Sequence, residues 1–231
     1  HGAIRVGYLK NDVGVSLVDA ESEKPVGIIN DYISLASGCL KEKNLEFQLT
    51  GFDSQKEELK ALKDNRIDMI FHMNQNPYEA EQNDVILSNI VFEVNVAVLT
   101  SVEKFDEGRE NTVAVSRNNL LSKWYISFNY PFWKIKEYDS YAEVRKAVHS
   151  GEADCFVVKA GESFKTPEDS KMHSIFLTKS GDSCFAVTRE NITLMNILNK
   201  TIQTLPASRL SSLFCVYENT PGRVTLAEYI K

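Results

Sequence analysis

One structural unit occurs twice in this chain of 231 residues. Residues 61–71 (ALKDNRIDMIF) and 147–157 (AVHSGEADCFV) align without a gap. Each copy has the pattern of a helix end, a turn at Asn65 or Gly151 that tolerates a left-handed backbone, and a short buried strand. The copies lie too far apart for a solenoid repeat, so the pattern predicts two lobes of similar build. Chance similarity is the alternative, because helix, glycine and strand in that order form a common element.

Helix-start signals precede both copies. Residues 54–57 (SQKE) and 140–143 (SYAE) have the Ser-x-x-Glu spacing of a capping box ahead of apolar positions. Both copies also keep an acidic residue next to the strand, Asp68 and Asp154. We expect these two carboxylates to hold the turns.

The flanking patterns extend each copy to a βαβαβ unit. Predicted strands lie at 3–9, 45–52, 67–71, 112–116, 133–138 and 154–158, and predicted helices at 29–43, 120–128, 141–149, 192–205 and 208–218. We expect residues 91–100 to run from the first lobe to the second and residues 183–191 to run back. The last two helices would then complete the first lobe. The predicted fold class is therefore α/β, with two lobes, a hinge made by two chain crossings, and a cleft.

Composition and charge exclude several classes of protein. A net charge of −6 and an isoelectric point near 5.4 argue against nucleic acid or an anionic membrane surface as a partner. A content of 43% hydrophobic and 25% charged residues predicts a chain that folds throughout. The longest apolar stretch, residues 85–99, is too short and too polar to span a bilayer.

The sequence carries no signature of catalysis, of a metal site or of a cofactor. It has no G-x-S-x-G motif, no glycine-rich phosphate loop and no Cys or His at metal-ligand spacing. We therefore expect no catalytic residue, no metal and no cofactor. Cys155 and Cys184 lie in apolar runs and are expected to be small buried side chains. A bridge between Cys39 and Cys215 is left open.

Polar side chains gather where the predicted strands end. In open α/β sheets, ligands bind outside the carboxyl ends of the strands. The candidate ligand-binding residues chosen on this ground are Tyr8, Asn11, His72, Asn74, Asn76, Tyr78, Glu79, Ser116, Asn118, Asn119 and Lys159.

Each of these assignments has a structural alternative. Residues 74–83 also fit a solvated loop, and His72 also fits a partner of a backbone carbonyl. Asn118 or Asn119 could cap the following helix. The aromatic run at 123–133 contains Trp124, Tyr125 and Phe128, which are expected to pack in the second-lobe core rather than to form a stacking platform.

Six short motifs, in order, resemble a known family. They are IRVGY (4–8), G-x-x-N-D-Y (27–32), L-x-x-N-x-I-D-M-I (62–70), V-A-V (113–115), V-x-x-G-x-A-D (148–154) and L-x-x-x-L-N-K-T-I-x-x-L (194–205). The chain thereby resembles the extracellular solute-binding proteins of family 3, the type II periplasmic binding-protein or Venus-flytrap domains. Domains of this kind also serve as sensor domains of membrane-bound histidine kinases.

The resemblance implies two mixed-sheet lobes that close around a small ligand. It places lobe 1 at residues 1–95 plus 189–231 and lobe 2 at 96–188, with hinge strands near 92–98 and 184–190. A few relatives of this fold are dehydratases, so a dehydratase-like enzyme is a weaker alternative to a binding domain.

The amino-acid clamp of the family is not matched. Where family members carry an Arg for the ligand carboxylate, residues 76–82 offer Glu79 or Glu81, and Lys159 stands where an Asp would hold the ligand ammonium. The resemblance therefore implies a polar or cationic ligand, or direct contact between the lobes. In a reversed arrangement, Lys159 would face an anionic group and Glu79 or Glu81 a cationic one.

The segment VTLAEYIK (224–231) is expected to begin a helix that leads into a membrane-spanning segment. This favours a small-ligand sensor at the extracellular or periplasmic face of a bacterial plasma membrane, most simply of a histidine kinase. The alternative is the solute-binding component of an amino-acid-type ABC transporter. The expected partner is a small polar molecule: an amino acid, an amine, a short peptide or an organic acid. A homodimer of the full-length receptor is left open, as is a sensor whose loops bridge the cleft without ligand.

Overall fold

The computed structural model describes residues 2–12, 15–19, 24–40, 46–159 and 171–204. The strands are β1 (Ala3–Leu9), β2 (Asn11–Asp12), β3 (Ser16–Val18), β4 (Pro25–Val26), β5 (Glu46–Phe52), β6 (Met69–Asn74), β7 (Val85–Val94), β8 (Val96–Thr100), β9 (Thr112–Ser116), β10 (Lys134–Tyr138), β11 (Cys155–Lys159), β12 (His173–Phe176) and β13 (Gly181–Thr188). The helices are α1 (Ile28–Leu40), α2 (Gln55–Lys63), α3 (Pro77–Gln82), α4 (Leu120–Asn129), α5 (Tyr141–His149) and α6 (Ile192–Thr204).

Two five-stranded mixed sheets are built on one plan. The first has the order β5-β1-β6-β13-β7 and the second the order β10-β9-β11-β8-β12. In each, the first three strands are parallel, and the fourth strand is antiparallel to its neighbours on both sides. The fourth strand is also the one that arrives from the other lobe. The predicted two-lobed α/β architecture is confirmed.

The two crossings between the sheets are short. β7 ends at Val94 and β8 begins at Val96, as predicted for 91–100, while β12 ends at Phe176 and β13 begins at Gly181. The return crossing was predicted at 183–191. Instead, β13 pairs with both β6 and β7, because it fills the gap between them in the first sheet. This pairing moves the second lobe boundary from residue 188 to residue 180.

The repeated unit is reproduced at the level of single hydrogen bonds. Asp68 accepts the backbone N–H of Arg5 in β1 at 2.8 Å, and Asp154 accepts that of Thr112 in β9 at 2.7 Å. Each carboxylate therefore ties the turn of its copy to an equivalent parallel strand of its own lobe, β1 in the first and β9 in the second. The expected structural role of both residues is confirmed.

The turns and helix starts of the two copies also agree. Asn65 and Gly151 both have a left-handed backbone, with φ of 54° and 76°. Ser54 and Ser140 cap α2 and α5 by accepting the N–H of the residue three positions on. Both predicted serine N-caps are therefore present at the N-termini of equivalent helices.

Helix α6, the last helix that the structure describes, belongs to the first lobe, as predicted for 192–205. Its Leu194, Met195 and Leu198 are buried in the cluster that surrounds Phe71 and Phe185. The predicted helix at 208–218, the segment 224–231 and a bridge between Cys39 and Cys215 lie outside what the structure describes. Cys155 and Cys184 are buried free thiols. Among the described helices, none combines the length and apolar character needed to cross a bilayer.

Candidate functional site: a cleft between the two lobes

A cavity of about 310 Å³ opens between the lobes. The ends of β1 and β6 and the N-terminus of α2 line it from the first lobe, and the ends of β9 and β11 and helices α4 and α5 line it from the second. Strand ends and helix N-termini meet here because both sheets present their carboxyl edges to the same gap. Its volume is at the lower end of the range for ligand pockets, which suits a small molecule.

Seven of the eleven candidate residues line this cleft. They are Asn11, His72, Asn74, Ser116, Asn118, Asn119 and Lys159. Their contact with a ligand stays a prediction. The geometry nonetheless brings residues from four separate stretches of sequence to one cavity.

The other four candidates lie elsewhere. Tyr8 is buried in the first-lobe core, and Asn76 is the N-cap of α3. Tyr78 is 68% exposed on the outer side of α3, and Glu79 is held in the first turn of that helix by the N-cap. Residues 77–82 were predicted as a loop. They form a helix because Asn76 caps it and Pro77 occupies its first position.

One of the residues that line the cleft is a buried carboxylate. Asp12, in β2 just after the end of β1, is buried and forms an ion pair with Lys159 of β11 in the opposite lobe. Nε2 of His72, from β6, donates to the same carboxylate. The Asp12–Lys159 pair therefore connects the two lobes directly across the cavity.

The charges of this group are mutually stabilised. Burial alone would raise the pKa of Asp12, but the positive charge of Lys159 and the hydrogen bond with His72 outweigh it and hold the pKa well below its ordinary value. Asp12 is consequently an anion at neutral pH. Because a buried ion that loses its partner is costly, the pair favours the lobe arrangement in which the two residues meet.

Lys159 was expected to face an anionic group and Glu79 or Glu81 a cationic one; the group that Lys159 faces is the Asp12 carboxylate of the opposite lobe. Glu81 lies at the far side of α3, 3.9 Å from Arg189. Sequence reasoning missed Asp12, although it follows a predicted strand and satisfies the same strand-end rule that selected Asn11. The anionic partner of Lys159 is therefore a carboxylate of the protein itself.

A second acidic side chain is buried in the first lobe and is close enough to Asp12 to sense its charge. Glu58 of α2 is 1% exposed, and burial together with the negative charge of Asp12 raises its pKa well above the ordinary value. Within the described part of the chain, Oε1 of Glu58, Nε2 of Gln55 and Nδ1 of His72 are buried without a hydrogen-bond partner. Gln55 and His72 line the cleft, whereas Glu58 is buried in the first lobe near Asp12.

The raised pKa of Glu58 predicts a pH dependence of stability. Because the folded state holds the proton more tightly than the unfolded chain, the free energy of unfolding should fall as pH rises from about 4.5 through the folded-state pKa, by roughly 1.4 kcal/mol per pH unit. Glu58→Gln should remove this fall. Urea unfolding between about pH 5 and about pH 8 measures it.

Glu57→Gln is the matched control, since Glu57 is the exposed neighbour on the same helix. It should leave the pH profile of the wild type unchanged. If Glu58→Gln and the wild type lose the same free energy of unfolding as pH rises, the folded state does not hold the Glu58 proton more tightly than the unfolded chain.

Helix α4 is the second contact between the lobes. Its Trp124 is 5% exposed and packs in the first-lobe cluster with Met73 and Ala80. Asn74 donates to the carbonyl of Leu121 at 2.7 Å, and Asn76 donates to that of Trp124 at 3.1 Å. Both amides thus join the end of β6 and the start of α3 to a helix of the other lobe.

This arrangement corrects two assignments in the aromatic run and confirms one. Tyr125 is buried in the second-lobe cluster, as expected. Trp124 faces the first lobe instead, and Phe128 is 49% exposed. The helix has one apolar face for each lobe, which periodicity alone does not distinguish.

The segment 116–119 begins α4 at the cleft. Asn119 caps the helix by accepting the N–H of Ser122 at 3.0 Å, and its amide donates to the Tyr141 hydroxyl at 2.7 Å. The capping role proposed for Asn119 is confirmed. Ser116 and Asn118 line the cavity beside it.

Comparison with solved structures shows where this architecture recurs. The periplasmic VFT2 domain of Bordetella pertussis BvgS aligns over 94% of this chain and 94% of its own, at 21% identity and a TM-score of 0.72. A histidine kinase sensor domain with similarity to periplasmic binding proteins aligns over 94% of this chain and 96% of its own, at 14% identity and a TM-score of 0.69. The chain has the two-lobed periplasmic binding-protein fold.

A transport protein shares the fold as well. The substrate-binding protein of an amino acid ABC transporter aligns over 93% of this chain and 98% of its own, at 18% identity and a TM-score of 0.65. No protein-family model matches the chain, and no curated protein sequence matches it. At these identities the likeness concerns the periplasmic binding-protein fold, and the function has to be argued from the cleft.

Proposed function

We propose that this chain is the extracellular ligand-sensing domain of a membrane-bound signalling protein, most simply a histidine kinase. The ligand is a small polar molecule bound in the cleft by residues of both lobes. The domain itself is not an enzyme. It acts by changing the position of one lobe relative to the other.

The Asp12–Lys159 pair is the observation that carries this proposal. A cleft with an ion pair across it has two arrangements: one in which the protein's own charges meet, and one in which they are separated. A ligand that interacts differently with the two arrangements shifts their populations. The contacts of Trp124 and Asn76 connect α4 to the first lobe and keep the two lobes joined while the width of the cleft changes.

Two structural neighbours support this assignment: the periplasmic VFT2 domain of BvgS and the histidine kinase sensor domain. In a sensor with this fold, the movement of the lobes has to be transmitted to the membrane. Helix α6 packs on the first lobe and is the last helix that the structure describes. We propose that lobe movement is transmitted through the chain that follows it.

A thermal-shift screen of amino acids, polyamines, short peptides and organic acids tests the binding step. At least one class should raise the melting temperature saturably, since a ligand at about 100 times its Kd stabilises by about 2.7 kcal/mol. Ser116→Trp, which fills the cleft, should abolish the shift, whereas Tyr78→Ala on the outer side of α3 should retain it. A shift that survives Ser116→Trp would place the ligand outside the cleft.

The signalling step requires the whole protein. In the full-length receptor reconstituted in vesicles, the ligand found by the screen should change the output activity, and Ser116→Trp should remove that response. A full-length protein that carries no output domain, with ligand binding intact, would favour the transporter component instead.

A further inference from the structure

We propose that the cleft takes a small organic cation, whose ammonium or amidinium group replaces the Lys159 ammonium at the Asp12 carboxylate. Lys159 then acts as a tethered competitor that occupies the cation site when no ligand is present. This inference rests on the proposed function and names the ligand class of the same cleft.

The charges that line the cavity point to a cation. Among the described lining residues, the carboxylates are Asp12 and Asp53 and the ammonium group is that of Lys159. Asp53 lies at the rim, 70% exposed, and pairs with Lys10 at 3.2 Å. Asp12 is therefore the buried carboxylate that faces the cavity, and Lys159 is its counter-charge from the opposite lobe.

The two members of the pair differ in how easily they can leave it. The Asp12 side chain is short, 6% exposed and also bonded to His72. Lys159 is 20% exposed, and its ammonium group sits on a flexible four-carbon stem and is readily hydrated. When the pair opens, Lys159 can therefore move into water while Asp12 stays in place with His72.

An anionic ligand would have to replace Asp12 rather than Lys159. To pair with Lys159 it must displace Asp12, which would leave a buried carboxylate beside Glu58 without its cation. Removing one partner of a buried pair is strongly unfavourable. An incoming cation instead leaves the charge of the buried cluster unchanged, because one ammonium group replaces another.

The remaining walls suit an aliphatic body with a polar end. Val94, Val96 and Val157 give apolar surface, while Ser116 and Ser183 give hydroxyl groups that can bond to a distal polar group. A diamine or a guanidinium-bearing amine has this composition. Agmatine and putrescine are therefore the cationic probes, and glutamate and malate are the anionic ones.

Isothermal titration of these four probes into matched variants tests the inference. Lys159→Met should bind agmatine or putrescine roughly tenfold more tightly than the wild type or better, because the competing charge pair is removed. The double variant Asp12→Asn/Lys159→Met keeps the shape of the pair without its charges and should lose cation binding. Lys123→Met is the control, since Lys123 is similarly buried at 18% exposure but pairs with Glu137 inside the second lobe.

Circular dichroism establishes whether each variant is folded. If Lys159→Met alone does not fold, the double variant still tests whether cation binding requires the Asp12 carboxylate. Cation binding that weakens in Lys159→Met would overturn the inference. If glutamate or malate binds the wild type and Lys159→Met abolishes it, the cation assignment falls while the ligand-sensing proposal stands. If no compound of the four or of the wider screen binds any folded variant, both proposals fall.

Discussion

Trp124→Ala should lower the free energy of unfolding by about 3–5 kcal/mol, the usual cost of truncating a buried Trp. Trp124 belongs to a second-lobe helix, yet its ring is buried in the first-lobe cluster. Its removal leaves a cavity at the contact between the lobes rather than within either one. Urea unfolding followed by circular dichroism measures the loss.

Phe128→Ala is the control on the same helix. Phe128 is 49% exposed, so its truncation should change stability by no more than about 0.5 kcal/mol. If both variants lose the same free energy of unfolding, the burial of Trp124 at the contact between the lobes does not stabilise the protein as the structure indicates. If only Trp124→Ala is destabilised, the packing of α4 against the first lobe contributes to the stability of the protein.

Asp12→Asn and Lys159→Met should be strongly non-additive. Each single change leaves a charge without its partner across the cleft, and the double change leaves none. The coupling energy of the cycle should be about 2–4 kcal/mol, within the range of about 1.5–7 kcal/mol found for close charge pairs at interfaces. Denaturant unfolding of the wild type, the two single variants and the double variant gives the cycle.

The pair Lys123–Glu137 provides the comparison, because it joins two elements of the second lobe and its carboxylate is 42% exposed. Its coupling should be no more than about 1 kcal/mol, as for other exposed pairs. Equal coupling in the two cycles would mean that Asp12 and Lys159 are separated and hydrated in solution.

The local features of the fold were predictable from sequence because they depend on neighbouring residues. The left-handed turns at Asn65 and Gly151 and the caps at Ser54 and Ser140 follow from spacing alone. The strand-end rule also placed most candidate residues in the cleft. Helix α3 had a readable start signal in Asn76, but its amide-rich and acidic composition favoured a loop.

The features that were missed depend on how the lobes meet. Asp12 and Lys159 are 147 positions apart, and nothing local to either residue specifies the other. The periodicity of α4 shows that Trp124 is buried without showing in which lobe. β13 was predicted as a crossing because a strand that pairs on both sides and a strand that spans a hinge have the same apolar pattern.

Small-angle X-ray scattering of the ligand-free wild type and of Lys159→Met tests most directly whether the Asp12–Lys159 pair holds the two lobes together in this arrangement. The structure predicts a compact wild type and a larger radius of gyration for Lys159→Met, because Asp12 gains from hydration once its counter-charge is gone. Superimposable scattering curves from two folded proteins would contradict it, since the lobes would then be held by something other than this pair.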